Sequence, residues 1–324
     1  MDDESRDSSS LRPAKEEVAQ QRTVYLFGQP ISHSVSPYFH NTIFQNVGLP
    51  WRYIRLDSKD LRDLAWLMHR NDFMGAAVTM PNKVQAMSLV DSITPEAQKI
   101  GCINTIYVRP GSSGEENLEQ RYIGTNTDWI GIQRALLNAD PEIRNHLQNH
   151  PALVIGGGAT CRSAIYALTE GLGAKVVYLV NRDPEEAKSA IMGLKQAGLL
   201  QEIHYVETAE IAQSIASPIV VISAVPDIAP KTDLEHTARN ITTTMIQSKP
   251  EHTYPRLFLE MCYDPTPMTC MATLAQDSGW KVIDGLDVME HQAIEQAVLW
   301  TEKPLQSLPS DLANSAIRQA LHRA

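Results

Sequence analysis

Short apolar, β-branched runs alternate with helical patterns along most of the chain. From residue 23 the order is TVYLFG (23–28), a helical stretch over 37–47, WRYIRL (51–56), a helix near 59–70, and GAAVT (75–79). Strands punctuated by helices in this way predict a parallel α/β arrangement. NTIYVR (104–109) and RYIG (121–124) flank the polar stretch GSSGEENLEQ, which predicts a surface hairpin loop, and a helical pattern resumes over 128–137. A second series opens with ALVIG (152–156), a glycine-rich turn and a helix to about 170. KVVYLV (175–180), IHYV (203–206), IVVIS (219–223), RLFLEM (256–261) and KVI (281–283) follow as strands, with a last helical pattern over 286–300. The polar segment NADPEIRNHLQNHP (138–151) separates the two series. The expected organisation is a disordered tail over 1–21, one α/β unit over 22–137, a second over 138–284, and C-terminal helices over 285–324 that fold back on the first unit.

Composition narrows the class. A chain of 324 residues with 43% hydrophobic and 20% charged residues has enough apolar side chain for two cores. The formal net charge is −10, from 28 Lys+Arg against 38 Asp+Glu, a surface that repels nucleic acid and acidic membranes. An anionic small substrate is still compatible, because a pocket can be locally basic. The four cysteines form no C-x-x-C pair and show no metal-like spacing with histidine, so free thiols and no metal are expected. No apolar run approaches the ~20 residues of a membrane helix, and the acidic, Ser-rich start is unlike a signal peptide, so a cytoplasmic protein is expected.

The clearest mechanical motif is ALVIG running into GGGATCRSAIYAL. Gly156 allows a tight turn, and Gly157, Gly158 and Ala159 lead into a helix whose N-terminal N–H groups can take a phosphate. Cys161, a small residue, stands at the third glycine position of this Rossmann-type loop. The next strand ends in Asn181-Arg182-Asp183, where such folds read the adenosine ribose. A carboxylate at Asp183 accepts from a ribose diol and repels a 2′-phosphate, which favours NAD. Arg182 pulls toward NADP, since guanidinium pairs with phosphate. Asp183 before Pro184 is also a good helix N-cap, and the two roles are compatible.

In the first half, polar clusters fall at strand ends: His33-Ser34-Val35-Ser36-Pro37, Thr79 with Lys83, Asn104-Thr105, and Asn126-Thr127-Asp128. Hydroxyl, amide, ammonium and carboxylate groups converging there would suit a polyhydroxylated acid. Helix capping by Ser34, Ser36 or Asp128 is the plainer alternative.

Taken together and in order, GQPISHSVSP, VTMPNK, CINTI, GTNTDWIGI, the glycine loop, the Asn-Arg after the next strand, the segment Tyr263 to Thr269, and GLDVMEHQ resemble the shikimate/quinate dehydrogenase family over about 24–300. The resemblance implies an N-terminal α/β substrate domain with a Rossmann-type doubly wound nucleotide domain, and an NAD(P)-dependent alcohol dehydrogenase with NAD preferred. It implies a small alicyclic acid, shikimate or quinate, as substrate, both acids suiting the same polar set. Lys83 and Asp128 would be the catalytic pair; Ser34 and Ser36 would hold the substrate carboxylate; Thr79, Asn104 and Gln292 would bind ring hydroxyls. The cofactor would meet Gly156, Gly157, Gly158, Ala159, Asn181, Arg182, Asp183, Ala224, Tyr263 and Gly285. A lysine acting as a base needs its pKa lowered from ~10.4, which burial could do.

Several positions depart from the family pattern. Ala159 replaces a common glycine, Trp129 stands where glycine is usual and could reshape the pocket wall, and Ser223-Ala224-Val225-Pro226 replaces an N-A-T stretch. Glu186 stands where NADP-preferring members often carry a basic residue, which supports NAD and a catabolic role. Two other readings remain: a metabolite-sensing regulator without turnover, and a Rossmann dehydrogenase for a different small acid. The expected assembly is a monomer or homodimer.

Overall fold

The computed structural model describes residues 20–111, 120–249, 253–264, 266 and 268–321. The expected tail thus lies almost wholly outside the described residues, as does most of the expected hairpin loop.

The first sheet contains β1 (Thr23–Gly28), β2 (Arg52–Asp57), β3 (Phe73–Val78), β4 (Ser92–Ile93), β5 (Thr105–Pro110) and β6 (Gln120–Thr125), in the order β2-β1-β3-β5-β6-β4. α1 (Ser36–Asn46) joins β1 to β2, α2 (Leu61–Met68) joins β2 to β3, and α3 (Pro95–Ile100) precedes β5. β1, β2 and β3 are mutually parallel, but β5 runs antiparallel to both β3 and β6, so this sheet is mixed. The alternation over 23–79 predicted the parallel β1, β2 and β3, and the polar stretch between NTIYVR and RYIG predicted the hairpin of β5 and β6; the antiparallel pairing of β3 with β5 is set by pairing, which periodicity does not encode. One result matters for the site. The C-terminal ends of β1, β3 and β6 and the N-terminal end of β5 lie at the same edge.

α4 (Asp128–Ala139) and α5 (Ile143–Leu147) lead to the second sheet. It comprises β7 (Ala152–Ile155), β8 (Val176–Val180), β9 (Glu202–Tyr205), β10 (Val220–Ser223), β11 (Leu257–Glu260) and β12 (Lys281–Ile283), all parallel, in the order β12-β11-β10-β7-β8-β9. This is the doubly wound order, reversing direction between β7 and β10, where such sheets bind ligands. Helices cover both faces, so ALVI, VVIS and LFLE are buried at every position and read as continuous runs, not alternations. The connecting helices are α6 (Ala159–Tyr166), continued by one π turn over Ala167–Gly171, α7 (Pro184–Gln196), α8 (Ala209–Ser214), α9 (Asp233–Ile246) and α10 (Cys270–Asp277).

α11 (Gly285–Thr301) and α12 (Ser310–Leu321) pack on the first unit. Trp300 is fully buried and donates from Nε1 to the Ile106 carbonyl at 2.9 Å, which clamps the end of α11 onto β5. The same helix lies along α4, so it touches elements on both sides of the cleft. Among the described residues, no helix is long and apolar enough to cross a membrane.

Candidate active site

The turn after β3 carries Thr79 and then Lys83, and its closing bonds, Asn82 N to Thr79 O at 3.0 Å and Ile103 N to Lys83 O at 2.9 Å, direct the lysine inward. Lys83 Nζ donates to Asp128 Oδ2 at 2.5 Å, and only 11% of either side chain is exposed. Asn104 Nδ2 donates to the other oxygen, Asp128 Oδ1, at 2.8 Å. Asn104 is in turn held by its Oδ1, which accepts from Thr127 N at 2.8 Å and from Thr105 Oγ1 at 2.7 Å. Gln292 reaches the cluster from α11, its Oε1 accepting from Thr127 Oγ1 at 3.1 Å and from Asn104 Nδ2 at 3.3 Å. Every donor and acceptor around the ion pair is therefore fixed by a second group, which removes rotamer freedom from the chemistry.

Burial by itself pulls the Lys83 pKa down, but attraction to Asp128 and the hydrogen bond to it outweigh that, and the net direction is upward. Lys83 is an ammonium ion at neutral pH. The lowering that a free-base lysine would need is absent from this pair, because desolvation is met by a carboxylate in contact.

Neither Ser36 nor Asp128 stands at an N-cap, whereas Ser34 Oγ accepts from the Ser36 N–H at 3.3 Å at the start of α1. The N-cap of α1 is Val35, with no side-chain cap bond, and that of α4 is Thr127, also without one. Ser34 and Ser36 are both buried, with their hydroxyls 3.2 Å apart, and Tyr263 lies beside Ser34. Tyr263, expected among the cofactor contacts, is partly buried and packs against the first unit's core. Trp129 packs edge-to-face on Tyr166, ring centroids 5.3 Å apart, and joins the second unit's core.

At the opposite wall, Gly156 has φ +120°, and a Cβ there would sit 2.7 Å from Cys161 Sγ, so only glycine fits the turn. A Cβ at Gly157 would collide with Asn181 and Glu186, whereas the space beside Gly158 is open to the N-terminus of α6, where Ala159 is the first residue. An open, backbone-lined concavity at a helix N-terminus suits a pyrophosphate. Ala224 N donates to Ile155 O at 3.0 Å, placing that strand end beside the turn, and Gly285 approaches so closely that a Cβ would lie 2.3 Å from Met261 O. Lys83 Nζ is 3.5 Å from Thr160 Oγ1 of α6, so the ion pair and the glycine turn are neighbours.

The ribose-reading end shows other partners for three residues. Asp183 caps α7, accepting from Glu185 N at 2.9 Å and Glu186 N at 3.3 Å. Arg182 pairs with Glu235 of α9 at 2.5 Å. Glu186 accepts from Asn181 Nδ2 at 2.7 Å beneath Gly157, so it braces the turn rather than standing as a free charge at the ribose.

Sequence reasoning placed Asn126 and Thr127 in a polar cluster without assigning them a role, and it missed Glu260. Thr127 joins Asn104 to Gln292. Asn126 donates to Ser163 Oγ at 3.0 Å, tying the first unit to α6. Glu260 is 1% exposed at the end of β11, accepting from Thr269 Oγ1 at 2.6 Å and Cys262 N at 3.1 Å, and burial pushes its carboxyl up to about 7. The available signal for Glu260 was a lone acid ending an otherwise apolar strand.

A mixed-sheet unit bearing a buried ammonium–carboxylate pair, set against a doubly wound unit with a glycine turn, defines a two-domain oxidoreductase acting on CH–OH groups. A family profile described as the shikimate dehydrogenase substrate binding domain matches residues 26–106. The quinate dehydrogenase of Emericella nidulans is 37% identical over 297 residues, 88% of this chain and 89% of that protein. The chain belongs to the shikimate/quinate dehydrogenase family. Among solved structures, the dehydroquinate dehydratase and shikimate dehydrogenase from S. pombe is 28% identical with a TM-score of 0.71, covering 92% of this chain and 53% of that one, so the chain spans about half its length. The shikimate 5-dehydrogenase of Thermus thermophilus, in complex with NADP(H) and shikimate, is 26% identical with a TM-score of 0.68, covering 93% and 100%.

Proposed function

We propose that this protein is a quinate/shikimate dehydrogenase, transferring hydride reversibly between NAD and a ring hydroxyl of shikimate or quinate to give 3-dehydroshikimate or 3-dehydroquinate. The observation that carries the reading is the buried Lys83–Asp128 pair, fixed by Asn104 and lying beside the start of α6 where the Gly156–Ala159 turn ends. A nicotinamide cofactor supplies the hydride acceptor or donor, and the turn, with Asn181, Ala224 and Gly285, is suited to hold it.

The chain's own residues divide the remaining work. Ser34 and Ser36 bind the carboxylate, while Thr79, Asn104 and Gln292 orient the ring hydroxyls. In the reducing direction the Lys83 ammonium gives its proton to the ketone oxygen as the hydroxyl forms. In the oxidising direction the same group must first lose a proton, and its raised pKa makes that harder near neutrality, so oxidation should quicken with pH. NAD preference is supported by Asp183, whose carboxylate would repel a 2′-phosphate, and by the engagement of Arg182 with Glu235, which leaves that guanidinium already paired.

The test is a steady-state comparison of quinate and shikimate, each with NAD and NADP, followed at the reduced-cofactor absorbance band. Turnover of either acid with a higher kcat/KM for NAD is expected. Turnover of neither acid overturns the substrate assignment, and preference for NADP overturns the cofactor assignment.

A further inference from the structure

Arg55 lies on β2, two residues beyond Tyr53, so both side chains leave the same face of the sheet. Tyr53 is 1% exposed, its ring stacked on His40 at 4.5 Å, and its hydroxyl lies beside Ser36 and Tyr263. The Arg55 guanidinium faces the same place. One of its nitrogens donates to the Ser34 carbonyl, and its charge is felt by both Tyr53 and Tyr263. No carboxylate among the described residues pairs with it. Arg55 is thus an exposed cation, tethered by one nitrogen and with spare donors, beside the two serine hydroxyls and the Tyr53 phenol.

We propose that Arg55 is a specificity-determining residue that reads the negative charge of the substrate's carboxylate, so that the pocket selects acids over their neutral esters or amides. This rests on the dehydrogenase reading above. Hydroxyl donors favour a carboxylate over a carboxylic ester only through the charge of the acceptor, whereas a guanidinium adds a full opposite charge. A guanidinium discriminates, because its hydrogen bonds to an anion are charge-assisted and roughly twice as strong as neutral ones. The bond to the Ser34 carbonyl fixes the arginine, so less side-chain freedom is lost on binding.

The experiment compares quinate and shikimate with their methyl esters, using wild type, Arg55→Gln and Arg55→Lys, at low and high ionic strength. Arg55→Gln should raise KM for the acids about tenfold or more with kcat little changed, leave KM for the esters where it was, and flatten the salt dependence of the acid KM. Arg55→Lys should retain most of the acid preference, since it keeps the charge. A purely structural role, through the Ser34 carbonyl, would raise acid and ester KM together, and that result overturns the proposal. So does Arg55→Lys losing as much discrimination as Arg55→Gln. If wild type turns over neither acid, the dehydrogenase reading and this one fall together; if it does and the acid-to-ester ratio is the same in all three proteins, only the role of Arg55 falls.

Discussion

Replacing Lys83 with Met keeps the aliphatic stem and removes the ammonium. Two losses should follow, and their sizes differ by cause. Breaking a buried pair by deleting one partner costs ~3–5 kcal/mol of stability when the surviving charge is wholly enclosed. Here Asp128 keeps the Asn104 hydrogen bond at 2.8 Å and is 11% exposed toward the cleft, so the loss belongs at about the lower end of that range. The rate loss should be larger. A positioned acid–base group contributes ~10²–10⁴ in rate, equivalent to about 3–5 kcal/mol of barrier. KM should move far less, because Ser34, Ser36 and Thr79 are untouched. The assay is kcat and KM from reduced-cofactor absorbance, beside a thermal melt with and without saturating shikimate, which reports binding independently of turnover. A variant that melts lower, is still stabilised by shikimate, and retains at most about 1% of kcat fits the reasoning. Near-full kcat would refute it. Asp128→Asn supplies the electrostatic arm: with the carboxylate charge gone, burial, the largest influence on Lys83, is opposed only by the lesser influences of Cys102 and Cys161, so its pKa should fall and the rise of oxidation rate with pH should move to lower pH. A pH profile unchanged by Asp128→Asn would mean that the contact does not tune the lysine.

Three further outcomes are expected. Ser36→Ala should raise KM more than it lowers kcat, since a carboxylate contact exists in ground and transition states alike, and its melting temperature should barely move because the serine caps nothing. Glu260, held at about 7 by burial against an ordinary value of 4.5, has a folded-state pKa above its unfolded one, so stability is highest below pH 4.5 on its account and on the order of 3 kcal/mol is lost as pH rises through 7. Glu260→Gln should abolish that slope between pH 5 and 8 in denaturant titrations, and an unchanged slope would show that another group is responsible. Asp183→Ser keeps a capping oxygen and drops the charge, so the ratio of kcat/KM for NADP over NAD should rise with little change in stability, and rise further with Glu235→Gln, which releases Arg182. A ratio indifferent to both substitutions would place ribose selection elsewhere.

The doubly wound unit was legible because each signal has one physical source. Strands buried on both faces must be apolar throughout, as ALVI and LFLE are, and Gly156 occupies a backbone angle that a side chain would strain. What eluded the sequence was pairing direction. β5 runs against β3 because the chain between them folds a two-residue strand, β4, onto the far edge beside β6, and two residues carry no periodicity to read. α9 was missed although Thr232 and Glu235 spell a reciprocal capping box, a local cue that needed no tertiary information.

Within the site, Lys83, Asp128, Asn104 and Gln292 were nameable from motif order, yet their connectivity was not, since Asn104 and Gln292 are far apart in sequence and meet only because α11 crosses back along α4. Arg182 and Asp183 show the opposite difficulty. Both were correctly placed at the end of β8, but a residue type fixes what a side chain can bind, not which of several neighbours it binds, and Glu235 arrives from a helix fifty residues on.

An acidic protein that takes an anionic substrate must overcome its own field, and the charges around the pocket say how. Lys83 is the obvious attractant, but in contact with Asp128 it belongs to a pair of zero net charge, whose field falls off as a dipole. Proton transfer needs that pairing, because it holds the ammonium in place; attraction of an anion needs an uncompensated cation. The two demands conflict if one lysine is to meet both. Their separation onto different strands resolves the conflict: Lys83 after β3 handles the proton, and Arg55 on β2, tethered to a carbonyl and not to a carboxylate, keeps its full charge for the substrate. On this argument, reversing the charge at that position, as in Arg55→Glu, should weaken acid binding and leave ester turnover intact. Equal loss for acid and ester would show that the strand, and not the charge, was disturbed.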